Sequence, residues 1–144
     1  LDEQYTMDKL DELLPRADIV AMVLPGGPAT NHLMDERRLH LMKPGSYLIN
    51  VGRGNAIDPK ALYDVLKEGY LNAAAIDVTE PEPLPEGDPL WELGNLVITP
   101  HVAGNFFLPE TFERIIRIAG GNLRAWCSGE PLKNVVDFTT GYRK

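Results

Sequence analysis

Ile19-Val20-Ala21-Met22-Val23-Leu24, followed at once by Pro25-Gly26-Gly27-Pro28, decides the fold class. A nearly continuous apolar run of this length, closed by residues that break regular structure, is expected for a parallel strand with helices on both faces. The pattern repeats outward from it. Tyr47-Leu48-Ile49-Asn50, Ala73-Ala74-Ala75-Ile76-Asp77-Val78 and Leu96-Val97-Ile98-Thr99 read as three further strands. Parallel strands need crossover connections, and the intervening segments have helical spacing. One short helix is expected around Asp35 to Met42, closed by Lys43-Pro44-Gly45. Asp58-Pro59 starts another, because Asp accepts hydrogen bonds from orphan amides and Pro loses nothing at the first helical position. It should run to about Glu68, with Leu62, Val65 and Leu66 inward and Gly69 as its stop.

Upstream, Thr6 is expected to cap a short helix that reaches Leu14 and stops at Pro15. Downstream, the spacing of Phe112, Ile115, Ile116, Ala119, Leu123 and Trp126 predicts the longest helix, from Pro109 to about Trp126. Gly120-Gly121 inside it predicts a bend or a close approach. The tail from Lys133 to Phe138 reads as an edge strand or a docking segment. Glu80-Pro81-Glu82-Pro83-Leu84-Pro85 is a constrained loop, since proline donates no amide proton and pushes its predecessor towards extended geometry.

The chain has 144 residues, 44% hydrophobic and 24% charged, within the range of an ordinary globular domain. No apolar run approaches a membrane span, and the acidic start lacks the form of a targeting signal. A net charge of -7 without a basic stripe disfavours nucleic acid. One cysteine, Cys127, cannot form an internal disulfide or a multi-thiolate metal site, and a cytoplasmic setting is expected. Cys127 is expected to be a packed thiol, and Tyr47, Trp91 and Trp126 core or interface aromatics, with Trp91 also placed to shape a pocket. His32 and His40, beside Asp35, Glu36, Arg37 and Arg38, are read as part of a solvated face, and no metal site is expected.

In an open parallel sheet, ligands bind beyond the carboxyl ends of the strands. Pro25, then Val51-Gly52-Arg53-Gly54, then Asp77 with Glu82 beyond it, then His101 follow the four predicted strands in turn. A guanidinium matches a carboxylate as a planar fork, a histidine exchanges protons near neutral pH, and a neighbouring carboxylate holds its ring. That set suits oxidation or reduction of a small hydroxy or keto acid. Gly52 and Gly54 admit close approach of a ligand, and Asp77 can accept a hydrogen bond from a carboxamide.

LINVGRG at 48 to 54, AAIDVTEPEPLP at 74 to 85 and ITPHVAG at 98 to 104, in this order, resemble the D-isomer-specific 2-hydroxyacid dehydrogenases. DIVAMVLPGGPAT and HLMKPGSYLIN resemble the same family upstream of the arginine. The resemblance implies an α/β fold: a partial Rossmann-like, doubly wound parallel sheet with flanking helices, lacking the first βαβ unit. It implies Arg53 as the substrate-binding arginine, His101 as the general acid/base and Glu82 as its acidic partner, with Glu80 the nearest competitor. Leu24 and Pro25 are expected near the adenosine half of NAD or NADP, and Val51, Gly52, Arg53, Asp77, His101, Ala103 and Gly104 around the nicotinamide and its ribose.

No G-x-G-x-x-G turn that would cradle a pyrophosphate occurs in this sequence. The chain, beginning at Leu1, is therefore expected to be a piece of a longer dehydrogenase. Residues 1–108 would be the carboxy-terminal part of its cofactor domain, and 109–144 a crossover helix and tail toward the substrate domain. Expected partners are a 2-hydroxy or 2-keto acid and a second copy or the complementary half of the protein. The isolated chain is expected to be inactive. Asn105-Phe106-Phe107 are expected to line the pocket or meet a second subunit. The rival reading is a non-catalytic regulatory or protein-interaction module.

Overall fold

Four short apolar runs form one parallel sheet in the chain order β1 (Ile19–Met22), β2 (Tyr47–Asn50), β3 (Ala73–Ile76) and β4 (Leu96–Ile98). The structure is a computed structural model that describes residues 2–104, 108–139 and 141–143. Two units are distinguished, Leu1–Ala103 and Gly104–Lys144. In the first, Met22, Asn50, Ile76 and Ile98 lie in register, so the strands end level with one another. The residues that follow them therefore start on one rim.

α1 (Leu10–Leu13) precedes β1, α2 (Glu36–Leu41) lies between β1 and β2, and α3 (Pro59–Lys67) lies between β2 and β3. Asp35 caps α2 by accepting from Arg38 N at 2.8 Å, and Asp58 caps α3 by accepting from Lys60 N and Ala61 N at 2.9 and 3.1 Å. Such caps contribute about 1 kcal/mol each. Gly69, at φ +71°, turns the chain out of α3. Leu39 of α2, Leu62 and Val65 of α3, and Leu48 of β2 are at most 2% exposed and form the centre of the core with Leu14. Each such aliphatic burial is worth about 1.5–3 kcal/mol before entropy is counted.

Among the described residues of the first unit, one face of the sheet is more closely packed than the other. Met22, Leu48, Ala74 and Ile76 are buried, whereas their alternating neighbours Ile19, Tyr47 and Val97 are 60%, 43% and 61% exposed. Strand alternation sends odd and even positions to opposite faces, and the apolar run conceals this because both sets are apolar. β1 also stops at Met22, short of the predicted Leu24. Met22 O accepts the amide of Val51, after which the Leu24 backbone lies against Gly52.

At the amino end, the Thr6 hydroxyl bonds to the Asp8 carboxylate and caps no helix amide. Pro15 does not stop the chain's winding but sits inside a 3₁₀ turn, Leu14–Arg16, where its missing N–H is not needed. The predicted solvated face is in part a contact surface. Arg37 and Arg38 both pair with Asp11 at 2.8 Å, Arg38 also donates to Leu33 O, and the His40 ring packs on Tyr70 at 4.9 Å.

In the second unit, α4 (Pro109–Ser128) runs unbroken through Gly120-Gly121. No atom lies within 4 Å of where a Cβ would stand on either glycine, so the predicted close approach is absent. Cys127 is exposed rather than packed within this unit, and Trp126, 74% exposed, is no core residue of it. Gly129, at φ +68°, ends the helix. The tail folds back on itself. Asn122 brackets the Lys133 backbone at 2.8 and 2.9 Å, and Val136 bridges Arg143 in antiparallel fashion. Among the described residues no helix is long and apolar enough to cross a membrane.

Candidate functional site

The level strand ends gather the candidate residues on the rim where sheets of this kind hold ligands. Beyond β2, the turn Val51-Gly52-Arg53-Gly54 is braced by Asn50, which is 1% exposed. Its Oδ1 accepts from Gly52 N at 3.0 Å and its Nδ2 donates to Arg53 O at 2.9 Å. Arg53 is exposed, and its Nη1 donates to Gly52 O at 2.8 Å. The flanking glycines are demanded by the chain's own backbone. A Cβ on Gly52 would stand 2.7 Å from Leu24 O and 2.8 Å from Leu24 N. A Cβ on Gly54 would overlap the Thr79 carbonyl and lie 2.9 Å from Thr79 Cα. The Arg53 turn is therefore wedged between the segments leaving β1 and β3.

Beyond β3 and β4 the contacts are hydrogen bonds. Asp77, 4% exposed, receives Val102 N on Oδ1 and Ala103 N on Oδ2, each at 2.9 Å, together with the Thr99 hydroxyl. Burial alone pushes its carboxyl up, but the bonds from Thr99, Ala103 and Val102 outweigh that and hold it below the ordinary carboxylate range. Asp77 O also accepts His101 N at 2.8 Å. His101 is thereby held at φ +55°, a left-handed conformation that costs a non-glycine residue about 1–2 kcal/mol. Its Nδ1 lies 2.6 Å from Glu82 Oε1. The side chains are 46% and 42% exposed, so the pair adds little to fold stability and acts chiefly on ring orientation. With Nδ1 engaged, Nε2 is left for proton exchange.

Glu80 reaches a different histidine, His32 Nε2, at 3.1 Å. His32 belongs to the loop before α2, and it contacts Glu80 across the rim rather than being part of a free solvated face. Glu82, His101, Thr99 and Leu84 line an open cleft of about 450 Å³, together with Trp91. Trp91 is 52% exposed and its indole N–H donates to Pro85 O at 2.8 Å, so it lines a cleft instead of filling a core. Pro25 O accepts the Thr30 hydroxyl at 2.8 Å in the loop after β1. Thus Asp77, Glu82, His101 and Ala103 are tied into one bonded group, while Arg53, Val51, Gly52, Leu24 and Pro25 join the rim through strand order and backbone packing. Gly104 begins the second unit, and Asn105-Phe106-Phe107 lie outside the described residues.

Asn50 and Thr99 are the positioning residues that pattern reading passed over. Both are polar residues at the carboxyl end of an apolar strand, which is the signal that marks them. Among the described residues, no group of three or more His, Cys, Asp or Glu side chains is arranged to hold a metal ion.

The family model for the D-isomer specific 2-hydroxyacid dehydrogenase, NAD binding domain, matches residues 1–103. A glyoxylate reductase from Thermofilum pendens is 44% identical over 121 residues, covering 84% of this chain and 35% of that enzyme. A D-3-phosphoglycerate dehydrogenase from Methanocaldococcus jannaschii is 37% identical over 132 residues, 92% of this chain and 25% of that enzyme. The crystal structure of a D-isomer specific 2-hydroxyacid dehydrogenase from Xanthobacter autotrophicus Py2, in complex with NADPH and MES, superposes with a TM-score of 0.81 at 38% identity. That match covers 94% of this chain and 55% of the other. The chain thus spans about half or less of the length of these relatives. With a Rossmann-like parallel sheet and a family match over its whole first unit, the chain belongs to the D-isomer-specific 2-hydroxyacid dehydrogenase family, in the NAD-binding domain.

Proposed function

We propose that this chain is the carboxy-terminal part of the cofactor domain of an oxidoreductase that interconverts a D-2-hydroxy acid and its 2-keto acid. The observation that carries the reading is the 2.6 Å His101–Glu82 pair set beside the bonded Asp77 on the ligand-binding rim. The residues fit the nicotinamide half of NAD or NADP. Among the described residues Asp77 accepts from the Thr99 hydroxyl and the Val102 and Ala103 amides, and its carboxylate is the acceptor this reading assigns to the carboxamide. Val51, Gly52, Ala103 and Gly104 would surround the ring and ribose, with Leu24 and Pro25 toward the adenosine. When bound, the nicotinamide supplies the hydride chemistry.

Arg53 grips the substrate carboxylate with its planar fork. His101 exchanges a proton with the substrate oxygen at Nε2. Glu82 holds Nδ1 and so fixes the orientation of the ring while the proton is carried. The glyoxylate reductase and phosphoglycerate dehydrogenase relatives favour small 2-hydroxy and 2-keto acids as the substrate class. A second copy, or the complementary half of the protein, is the partner this reading assigns, in the cytoplasm. The unpaired edge of β1 favours such association, because an open sheet edge is a template for another chain.

The test is steady-state reduction of glyoxylate and larger 2-keto acids, with NADH and NADPH, by the full-length protein. His101→Ala should lower kcat about 10²- to 10⁴-fold, the range for a lost acid/base group. Arg53→Ala should raise KM for the keto acid as well as lower kcat. Full activity in either variant overturns the assignment.

A further inference from the structure

Two histidines of this chain hold left-handed backbone, and each pairs with a glutamate from the same loop. His101, at φ +55°, meets Glu82, and His32, at φ +45°, meets Glu80. The two glutamates are separated only by Pro81, and Pro83 follows directly. Proline fixes its own φ and restricts the residue before it, so this stretch has few free dihedrals. Restraint at Glu80 is therefore passed on to Glu82 with little loss.

The histidine end of this tether is itself anchored. His32 N donates to Asn55 O at 2.7 Å, Met34 N to Ala56 O at 2.9 Å, and Asp58 N to Met34 O at 3.0 Å. These bonds fasten the His32 loop to the segment between Arg53 and α3. His32 Nδ1 also lies 3.8 Å from Asp58 Oδ2, the carboxylate that caps α3. On the loop's other flank, the Thr79 hydroxyl donates to Pro81 O at 2.9 Å, and the Thr79 backbone abuts Gly54. Among the described residues, Glu80 is the side chain by which this proline-bounded stretch reaches across to the loop after β1. Nothing in core packing requires it, since His32 and Glu80 side chains are each 41% exposed.

We propose that His32 is a positioning residue: by holding Glu80 it fixes the loop that presents Glu82 to His101 Nδ1. The inference rests on the His101–Glu82 roles proposed above. An exposed ion pair contributes little to global stability, so its signature is kinetic and modest.

The experiment is a double-mutant cycle in the full-length protein, with thermal melts to confirm folding of each variant. E80A and H32A should each lower kcat about 3- to 10-fold with KM for the keto acid within about twofold, as expected for a lost orienting contact. H32Q, which retains an N–H donor for Glu80, should recover most of that loss. In an E82Q background, adding E80A should change kcat by less than about 1.5-fold, because a residue acting through Glu82 has nothing left to position. If E80A does not fold, E80Q takes its place in the cycle. Equal losses in both backgrounds would assign His32 and Glu80 a general structural role and overturn the proposal, as would no loss in either. An E82Q enzyme with unchanged kcat would instead overturn the functional reading itself.

Discussion

The two halves of the rim are built by different forces. On the β1–β2 side, Gly52 and Gly54 let backbone press on backbone, and the exposed Arg53 is placed by the shape of the turn it rides on. On the β3–β4 side, Asp77 gathers the Thr99 hydroxyl and the Val102 and Ala103 amides, and Glu82 is bonded to His101. Steric wedging is short-ranged and does not titrate. A hydrogen-bonded carboxylate does. The same rim should therefore fail in two distinguishable ways.

The largest effect on stability is expected from Gly54→Ala. The added methyl would occupy the space of the Thr79 carbonyl, so two strand-end segments must part, at a cost of at least about 3 kcal/mol. Urea unfolding should show a lower midpoint at unchanged slope, and at every pH alike. A wild-type midpoint would show that the wedge yields freely. Next comes Asp77→Asn, about 1–3 kcal/mol at pH 7, because an amide turned toward Ala103 N sets donor against donor.

This second loss should depend on pH. The Asp77 carboxyl is held below its ordinary value, so its contribution is complete above the unfolded pKa of about 3.9 and is lost as pH falls through the lower folded value. The gap between wild type and Asp77→Asn should then narrow in acid, and a constant gap would refute this account. The smallest effect belongs to Arg53→Gln. Its side chain is exposed, so stability should move by less than about 0.5 kcal/mol while turnover collapses. A large stability loss would mean that the guanidinium is structural.

Local features of this fold were legible in the sequence. Asp58-Pro59 announced α3, Gly69 its end, and the four apolar runs announced the strands, because capping chemistry and strand composition act over a few residues. The order of Arg53, Asp77, Glu82 and His101 along the rim was legible for the same reason, since each follows a strand. What escaped was long-range. The contacts of Gly52 with Leu24, Gly54 with Thr79 and His32 with Glu80 join distant positions and leave no periodic trace. The different burial of the two faces in this chain was hidden because Ile19 and Val97 are as apolar as the buried Leu48. Cys127 and Trp126 were read as packed from their place in an apolar helical pattern, but that pattern does not say whether anything covers the helix.

The agreement between chain order and strand order bears on how the fold is made. Among the described residues, β2, β3 and β4 each pair with the strand that precedes them in the chain, so none of these three waits for a distant partner. Loop-closure entropy is then spent in small instalments, each offset by one new ladder. Within this stretch the sheet can grow one strand at a time, in the order in which the strands occur in the chain. His101 follows β4, so its contact with Glu82 is made after β3 and β4 have paired.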